Sequence, residues 1–200
     1  ITLHSYVHDE WRDDVTASLV TYGIRSEFRR TANKIAFRYL HTFEKLGWTT
    51  DPDPMVLESP LVIEGDVVLR FGMLESDAHV RGRRVVYDPQ SDTPVAFSAN
   101  GSSADELALV LKVDEFLQMG LADDWDPNKK PSQASLSEID RAIQQIYDIH
   151  SSQRLIVIVK RPLGGAEVFA GPGRATSVPA YAAGGAERAA GTPKQSRALR

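Results

Sequence analysis

The chain has 200 residues, of which 42% are hydrophobic, and this length is enough for one sizeable α/β domain with its own core. Its formal net charge is -4, and it contains no cysteine. The lack of cysteine excludes disulfide scaffolds, thiolate metal sites and a cysteine nucleophile, and the mild acidity gives no electrostatic footprint for nucleic acid. No apolar run approaches the roughly 20 residues that span a bilayer, and the lack of cysteine fits a reducing cytosol. We therefore expect a cytoplasmic globular protein without a membrane or nucleic-acid partner.

The first part of the chain predicts a strand, a helix and a small sheet. "ITLHSYV" is strand-like and lacks a starting Met, so we expect a longer natural N-terminus. "DDVTASLVTYG" predicts a helix with acidic residues at its positive end and Gly23 at its stop. "KIAFRYLHTF" alternates, with Tyr39 and His41 on one face, which predicts half-exposed strands over about residues 33–43. "GWTTDPDPMVLESP" predicts a surface loop.

The rest of the chain alternates buried strands with helices. "GDVVLRFG" and "RRVVYDP" predict strands, whereas "SADE" predicts a short helical turn before the buried run "LALVL". "SLSEIDRAIQQIYDIH" predicts a helix with an apolar stripe and a capping box of Ser135 and Glu138. "RLIVIVK" predicts a strand covered on both faces, followed by a turn and the strand "AEVFAG". This order predicts a mostly parallel sheet flanked by helices, followed by a disordered or poorly packed tail over residues 182–200.

Charged residues follow three of the predicted strands. Ligands of open parallel sheets bind beyond the carboxyl ends of the strands. The residues that follow the strands "RRVVY", "LALVL" and "RLIVIV" are, in that order, Asp88, Pro89 and Gln90; Lys112, Asp114 and Glu115; and Lys160, Arg161, Gly164 and Gly165. Such a rim could face an anionic ligand and a metal. Each feature also has a structural interpretation: Asp88-Pro89 as a turn, Asp114 as a helix cap and Gly164-Gly165 as a hairpin turn.

The order of these segments resembles the ribokinase-like (PfkB-type) carbohydrate kinase family over about residues 1–181. "LHSYVHDEWRDDVTASLVTYGI" resembles the family's G-x-D segment and its following helix, and "RRVVYDPQ" its strand ending in Asp-Pro. "LALVLKVDEF" resembles the strand ending in N-x-x-E, and "LIVIVKRPLGGAEVFAG…VPAY" the nucleotide hairpin and the V-P-A-Y that trails it.

The resemblance implies a three-layer α/β fold with a small β lid and ATP-dependent phosphoryl transfer to a hydroxyl of a sugar or nucleoside, with Mg²⁺ as a second cofactor. It also allows a homodimer formed through the lid strands. In this family the phosphates lie at the carboxyl ends of the strands, where positioning, a cation and hydrogen-bond donors stabilise the transferred group.

The residue roles follow from the resemblance alone. Glu115 takes the Mg²⁺-associated position, and Lys112 stands where the family has Asn and could meet a phosphate as a point charge. The residues at the nucleotide are Lys112, Lys160, Gly164 and Gly165, and those toward the substrate are Asp9, Tyr39 and His41. The chain departs from the family because no Gly precedes Asp9, and because "KRPLGGA" lacks a Gly directly after Lys160-Arg161 and has two together later.

In the family that the chain resembles, the catalytic base is an Asp in a later G-A-G-D segment. No such segment follows "VPAY", so no catalytic base can be named. We therefore expect a copy of the kinase that is truncated at both ends. The alternative is a non-catalytic α/β ligand-binding protein or pseudo-kinase, which Lys112 and the missing base favour for this chain.

Overall fold

The structure, a computed structural model, describes residues 1–35, 37–38, 47–48, 56–72, 75–91, 93–121, 124–126, 129–151, 153–161, 165–172 and 175–178. The chain divides into two compact units, residues 1–61 with 74–77, and residues 62–73 with 78–200. The single domain predicted over residues 1–181 thus contains two units. The predicted tail, residues 182–200, lies outside the described residues.

The first unit is built on a parallel strand pair joined by a helix. Strand β1 (Thr2–His8) pairs with β2 (Arg25–Thr31) in parallel, and helix α1 (Asp9–Val20) connects them. The His8 ring Nδ1 accepts the Glu10 N–H at 3.2 Å and so caps the helix. Gly23 has a φ of 67°, a left-handed conformation that glycine adopts freely after a helix. The predicted strand and helix are confirmed, with the helix starting earlier than "DDVTAS".

A short antiparallel pair follows in the same unit, between β3 (Phe37–Arg38) and β4 (Gly47–Trp48). β3 lies within the predicted lid strands, whereas β4 corrects the prediction of a loop at the start of "GWTTDPDP". Tyr39 and His41, predicted to approach a substrate, lie outside the described residues. A homodimer through the lid strands therefore stays a prediction.

The second unit contains a six-stranded sheet in the order β10-β9-β8-β7-β6-β5. Its strands are β5 (Leu61–Phe71), β6 (Ala78–Asp88), β7 (Ser103–Lys112), β8 (Arg154–Lys160), β9 (Ala166–Phe169) and β10 (Ala175–Val178). β6, β7 and β8 are parallel, and β9 and β10 add an antiparallel edge. The predicted α/β class with a mostly parallel sheet flanked by helices is confirmed. The segment "SADE", predicted as a helical turn, is instead the first part of β7, because its residues pair with β6.

One face of this sheet forms the core with helices α2 (Val113–Leu121) and α3 (Leu136–Ile149). Inward-facing leucines and valines alternate along β7 and β8, and the rings of Phe116 and Phe169 stack at 6.0 Å. Gly120 on α2 lies so close to Ala142 on α3 that a Cβ there would be 2.6 Å from the Ala142 backbone. The two helices can pack this closely only because Gly120 lacks a side chain.

The other face is open at several positions. Ile156 on β8 is 44% exposed, and Val67 and Leu69 on β5 are 67% and 66% exposed. The prediction that "RLIVIVK" is covered on both faces is therefore wrong. A continuous β-branched run shows that a strand is apolar on both sides, but it does not show that both sides are packed.

The start of α3 is held by a charged capping box. The Ser135 hydroxyl accepts the Glu138 N–H at 3.3 Å, and the Glu138 carboxylate accepts the Ser135 N–H at 2.7 Å. Lys129 donates to the same carboxylate at 2.7 Å. These bonds, the one from Lys129 first, lower the pKa of Glu138 to about 2. The predicted capping box is confirmed, and it is anchored by a lysine that lies outside the motif.

The end of α3 is fixed by a buried histidine. His150 is 1% exposed. Its Nδ1 lies 2.9 Å from the Ile146 carbonyl oxygen, and its Nε2 accepts the Phe97 N–H at 3.3 Å. Burial lowers the pKa of His150, so the neutral ring with its proton on Nδ1 fits both bonds. None of the helices in the described segments is long and apolar enough to cross a membrane.

Candidate functional site at the carboxyl edge of the sheet

Three charged residues end the three parallel strands of the second unit. Asp88 is the last residue of β6, Lys112 of β7 and Lys160 of β8. Lys112 and Lys160 are partners in the strand register, so their Cα atoms lie on neighbouring strands about 5 Å apart. We call Asp88, Lys112 and Lys160, with Gln90, Ser91 and Glu115, the carboxyl edge.

Asp88 holds Lys160 at this edge. The Lys160 ammonium lies 2.9 Å and 3.1 Å from the two Asp88 carboxylate oxygens, and the Gln90 amide donates to one of them at 2.6 Å. Gln90 has a φ of 48°, an uncommon value for a residue with a side chain. Asp88 therefore does more than start a turn, because its side chain positions a lysine two strands away.

The Glu115 carboxylate accepts hydrogen bonds from backbone N–H groups around it. Its side chain is 1% exposed; one carboxylate oxygen accepts the Lys112 N–H at 2.7 Å and the other accepts the Ser91 N–H at 2.9 Å. Lys112 directly precedes α2 and Glu115 is the third residue of that helix, so the bond to the Lys112 N–H is half of a capping box. The capping carboxylate thus comes one residue later than Asp114, which the sequence had suggested. The Lys112 ammonium lies 3.7 Å from Glu115.

The Glu115 carboxylate oxygens do not fit a Mg²⁺ site. Mg²⁺ takes oxygen ligands at 2.0–2.1 Å in a near-octahedral arrangement and keeps several waters. The Glu115 oxygens are buried and already accept hydrogen bonds from backbone N–H groups, and an ammonium lies beside them. Over the described ranges, no group of three or more His, Asp or Glu side chains could hold a metal ion. The metal role of Glu115 stays a prediction, and the geometry argues against it.

The turn between β8 and β9 borders the same strand end. The Arg161 N–H donates to the Gly165 carbonyl oxygen at 3.1 Å, and Gly165 has a φ of 80°, so Gly165 is a hairpin glycine. Gly164 lies outside the described residues. Arg161 donates to the buried Glu167 at 2.7 Å, and the Ser177 hydroxyl donates to the same carboxylate at 2.8 Å. This ion pair fixes Arg161 on the turn.

Asp9 lies in the first unit, where it is the first residue of α1 and forms an ion pair with Arg30. Its predicted role toward a substrate stays a prediction. Of the residues predicted at the site, the structure places Lys112, Glu115 and Lys160 together at one edge, with Gly165 on the adjoining turn.

Sequence reasoning missed the roles of Ser91 and Glu167 and the contact between Gln90 and Asp88. The signal for Glu115 as a cap was present, because an acidic residue three positions after the helix start is half of a capping box. Its partner Ser91 is 24 positions away, and only the folded chain brings the two residues together. Glu167 carried no signal, since a charge inside "AEVFAG" reads as an outward-facing residue of an edge strand.

Comparisons with known proteins give similarity to solved structures but no match in sequence. No protein-family model matches the chain, and no characterised protein sequence matches it. A solved structure of a "pyrophosphate-dependent kinase in the ribokinase family complexed with a pyrophosphate analog and myo-inositol" is similar over 89% of this chain, with 11% identity and a TM-score of 0.42. The chain spans 63% of that protein's length. Neither the architecture described above nor any residue role depends on this similarity.

Proposed function

We propose that the chain is part of a kinase that transfers a phosphoryl group from ATP to a hydroxyl of a sugar or nucleoside. The observation that supports the proposal is the pair Lys112 and Lys160 on adjacent parallel strands, at the edge where open sheets bind ligands. The side chains of Lys112 and Lys160 are 45% and 34% exposed, so an anion can reach both from solvent.

The chemistry of phosphoryl transfer suits such an edge. The reaction needs little covalent participation by the protein, and catalysis comes from positioning and from charge aimed at the phosphate oxygens. The Lys160 ammonium contacts the Asp88 carboxylate at 2.9 Å, and the Lys112 ammonium lies 3.7 Å from the Glu115 carboxylate, so both ammonium groups lie at this edge before a ligand arrives. Gly165 and Arg161 on the adjoining turn would border the nucleotide.

The proposal predicts release of ADP from ATP that depends on an added sugar or nucleoside. A panel of sugars and nucleosides would be tested in a coupled ADP assay. Lys160→Met keeps the apolar stem and removes the charge; we expect at least about a tenfold loss of kcat/KM, the equivalent of one lost phosphate contact. Lys130→Met, an exposed lysine before the 3₁₀ turn at Pro131, is the matched control and should keep full activity.

A second candidate function is ligand binding without catalysis. It is favoured by the ion pairs at the carboxyl edge, in which each lysine already contacts a carboxylate. In that case the chain would bind ATP or ADP, Lys160→Met would weaken binding, and no acceptor in the panel would release ADP. Activity that Lys160→Met leaves unchanged would contradict both candidates for this edge.

A further inference from the structure

The carboxyl edge carries an ammonium beside the carboxylate that the family resemblance assigns to Mg²⁺. The Lys112 ammonium lies 3.7 Å from a Glu115 carboxylate oxygen, and the Lys112 backbone N–H donates to the other oxygen. One residue thus contacts both oxygens of Glu115. A Mg²⁺ ion or its hydration shell would have to displace these contacts and would also be repelled by the ammonium.

Burial adds a second obstacle to a metal. The Glu115 side chain is 1% exposed, whereas the Lys112 side chain is 45% exposed. A hydrated ion approaching from solvent would therefore meet the ammonium of Lys112 before the carboxylate of Glu115. Since Mg²⁺ gives up its waters reluctantly, a buried carboxylate behind a lysine is a poor site for it.

Lys112 can itself neutralise a phosphate. An ammonium carries three donors, so Lys112 can contact Glu115 and still donate to an incoming phosphate oxygen. Lys160 lies beside it in the strand register, and its ammonium contacts the Asp88 carboxylate at 2.9 Å. Two ammonium groups on adjacent strands can bind two oxygens of a diphosphate.

We propose that the carboxyl edge binds the phosphates of a nucleotide without a divalent cation, with the Lys112 ammonium supplying the charge that Mg²⁺ would otherwise provide. This inference rests on the proposed function, since it concerns the same site. It removes Mg²⁺ from ligand binding and makes Lys112 a specificity-determining residue for metal-free phosphate.

The test is calorimetric titration of the intact chain with ADP, once with excess Mg²⁺ and once with EDTA. We expect wild-type Kd values that agree within about threefold in the two conditions, whereas a metal-bridged site would lose at least about tenfold without Mg²⁺. Lys112→Met should lose about tenfold in both conditions. Lys130→Met should match the wild type, and circular dichroism would check that each variant is folded.

The outcomes separate the two proposals. ADP binding that EDTA weakens tenfold or more, with Lys112→Met unchanged, overturns the metal-free inference and leaves the kinase proposal standing. ADP binding in neither condition overturns both proposals.

Lys112→Asn gives a further check, because an amide removes the positive charge but can donate and accept hydrogen bonds. In EDTA this variant should bind ADP more weakly than the wild type does. ADP binding in EDTA as tight as that of the wild type would contradict the role given to Lys112.

Discussion

At the scale of single residues, Glu115 shows how one side chain can serve structure where the sequence suggests chemistry. Its position after a buried run at a sheet edge fits a ligand site, yet both its oxygens accept backbone N–H groups from Lys112 and Ser91. The strand end and the acidic residue could be predicted from the sequence. That both carboxylate oxygens of Glu115 already accept hydrogen bonds could not be predicted, because the second donor, the Ser91 N–H, comes from a loop 24 residues earlier.

The structural role of Glu115 can be measured directly. Glu115→Gln keeps the shape but replaces one acceptor oxygen by an NH₂ group, which would face a buried N–H donor. We expect the free energy of unfolding to fall by about 1–3 kcal/mol, measured by urea denaturation without any metal. Asp114→Asn, on the same turn, is the control and should change little. An unchanged stability of Glu115→Gln would mean that the carboxylate is not needed as a cap.

At the scale of elements, the helices and strands with strong periodicity were predictable and their packing was not. The apolar stripe and capping box of α3 follow from local sequence, and the structure confirms both. The segment Ser103–Glu106 was wrong as a helical turn because its pairing with β6, a non-local contact, overrides its local preference. The short strand Gly47–Trp48, predicted as part of a loop, shows the same effect through its pairing with Phe37–Arg38.

The contact between α2 and α3 gives a prediction at this scale. The substitution Gly120→Ala gains about 1 kcal/mol in helix propensity, but the added Cβ would lie 2.6 Å from the Ala142 backbone. Backbone atoms cannot move aside as a flexible side chain can, so we expect a net loss of about 1–2 kcal/mol. Thermal unfolding would measure it. Gly171→Ala, where a Cβ would meet nothing within 4 Å, should be neutral; equal stability of both variants would contradict the close packing.

At the scale of the whole molecule, the sequence predicted the α/β class and the edge of the sheet where charge collects. It predicted these because strand order and buried runs are local patterns, and because parallel strands place their carboxyl ends together. The division into two compact units and the open second face were not predictable. Both depend on which apolar surfaces find a partner, and hydrophobicity along the chain does not specify the partner.

The central claim is that the carboxyl edge of β6, β7 and β8 binds the phosphates of ATP. The most direct test is a ¹H–¹⁵N NMR titration of the chain with ATP. We predict that the amide signals of Ser91, Lys112 and Lys160 shift first and saturate together, and that Lys160→Met abolishes or strongly weakens these shifts. No shifts at these amides, or shifts concentrated on Val67, Leu69 and Ile156 of the open face instead, would contradict the claim.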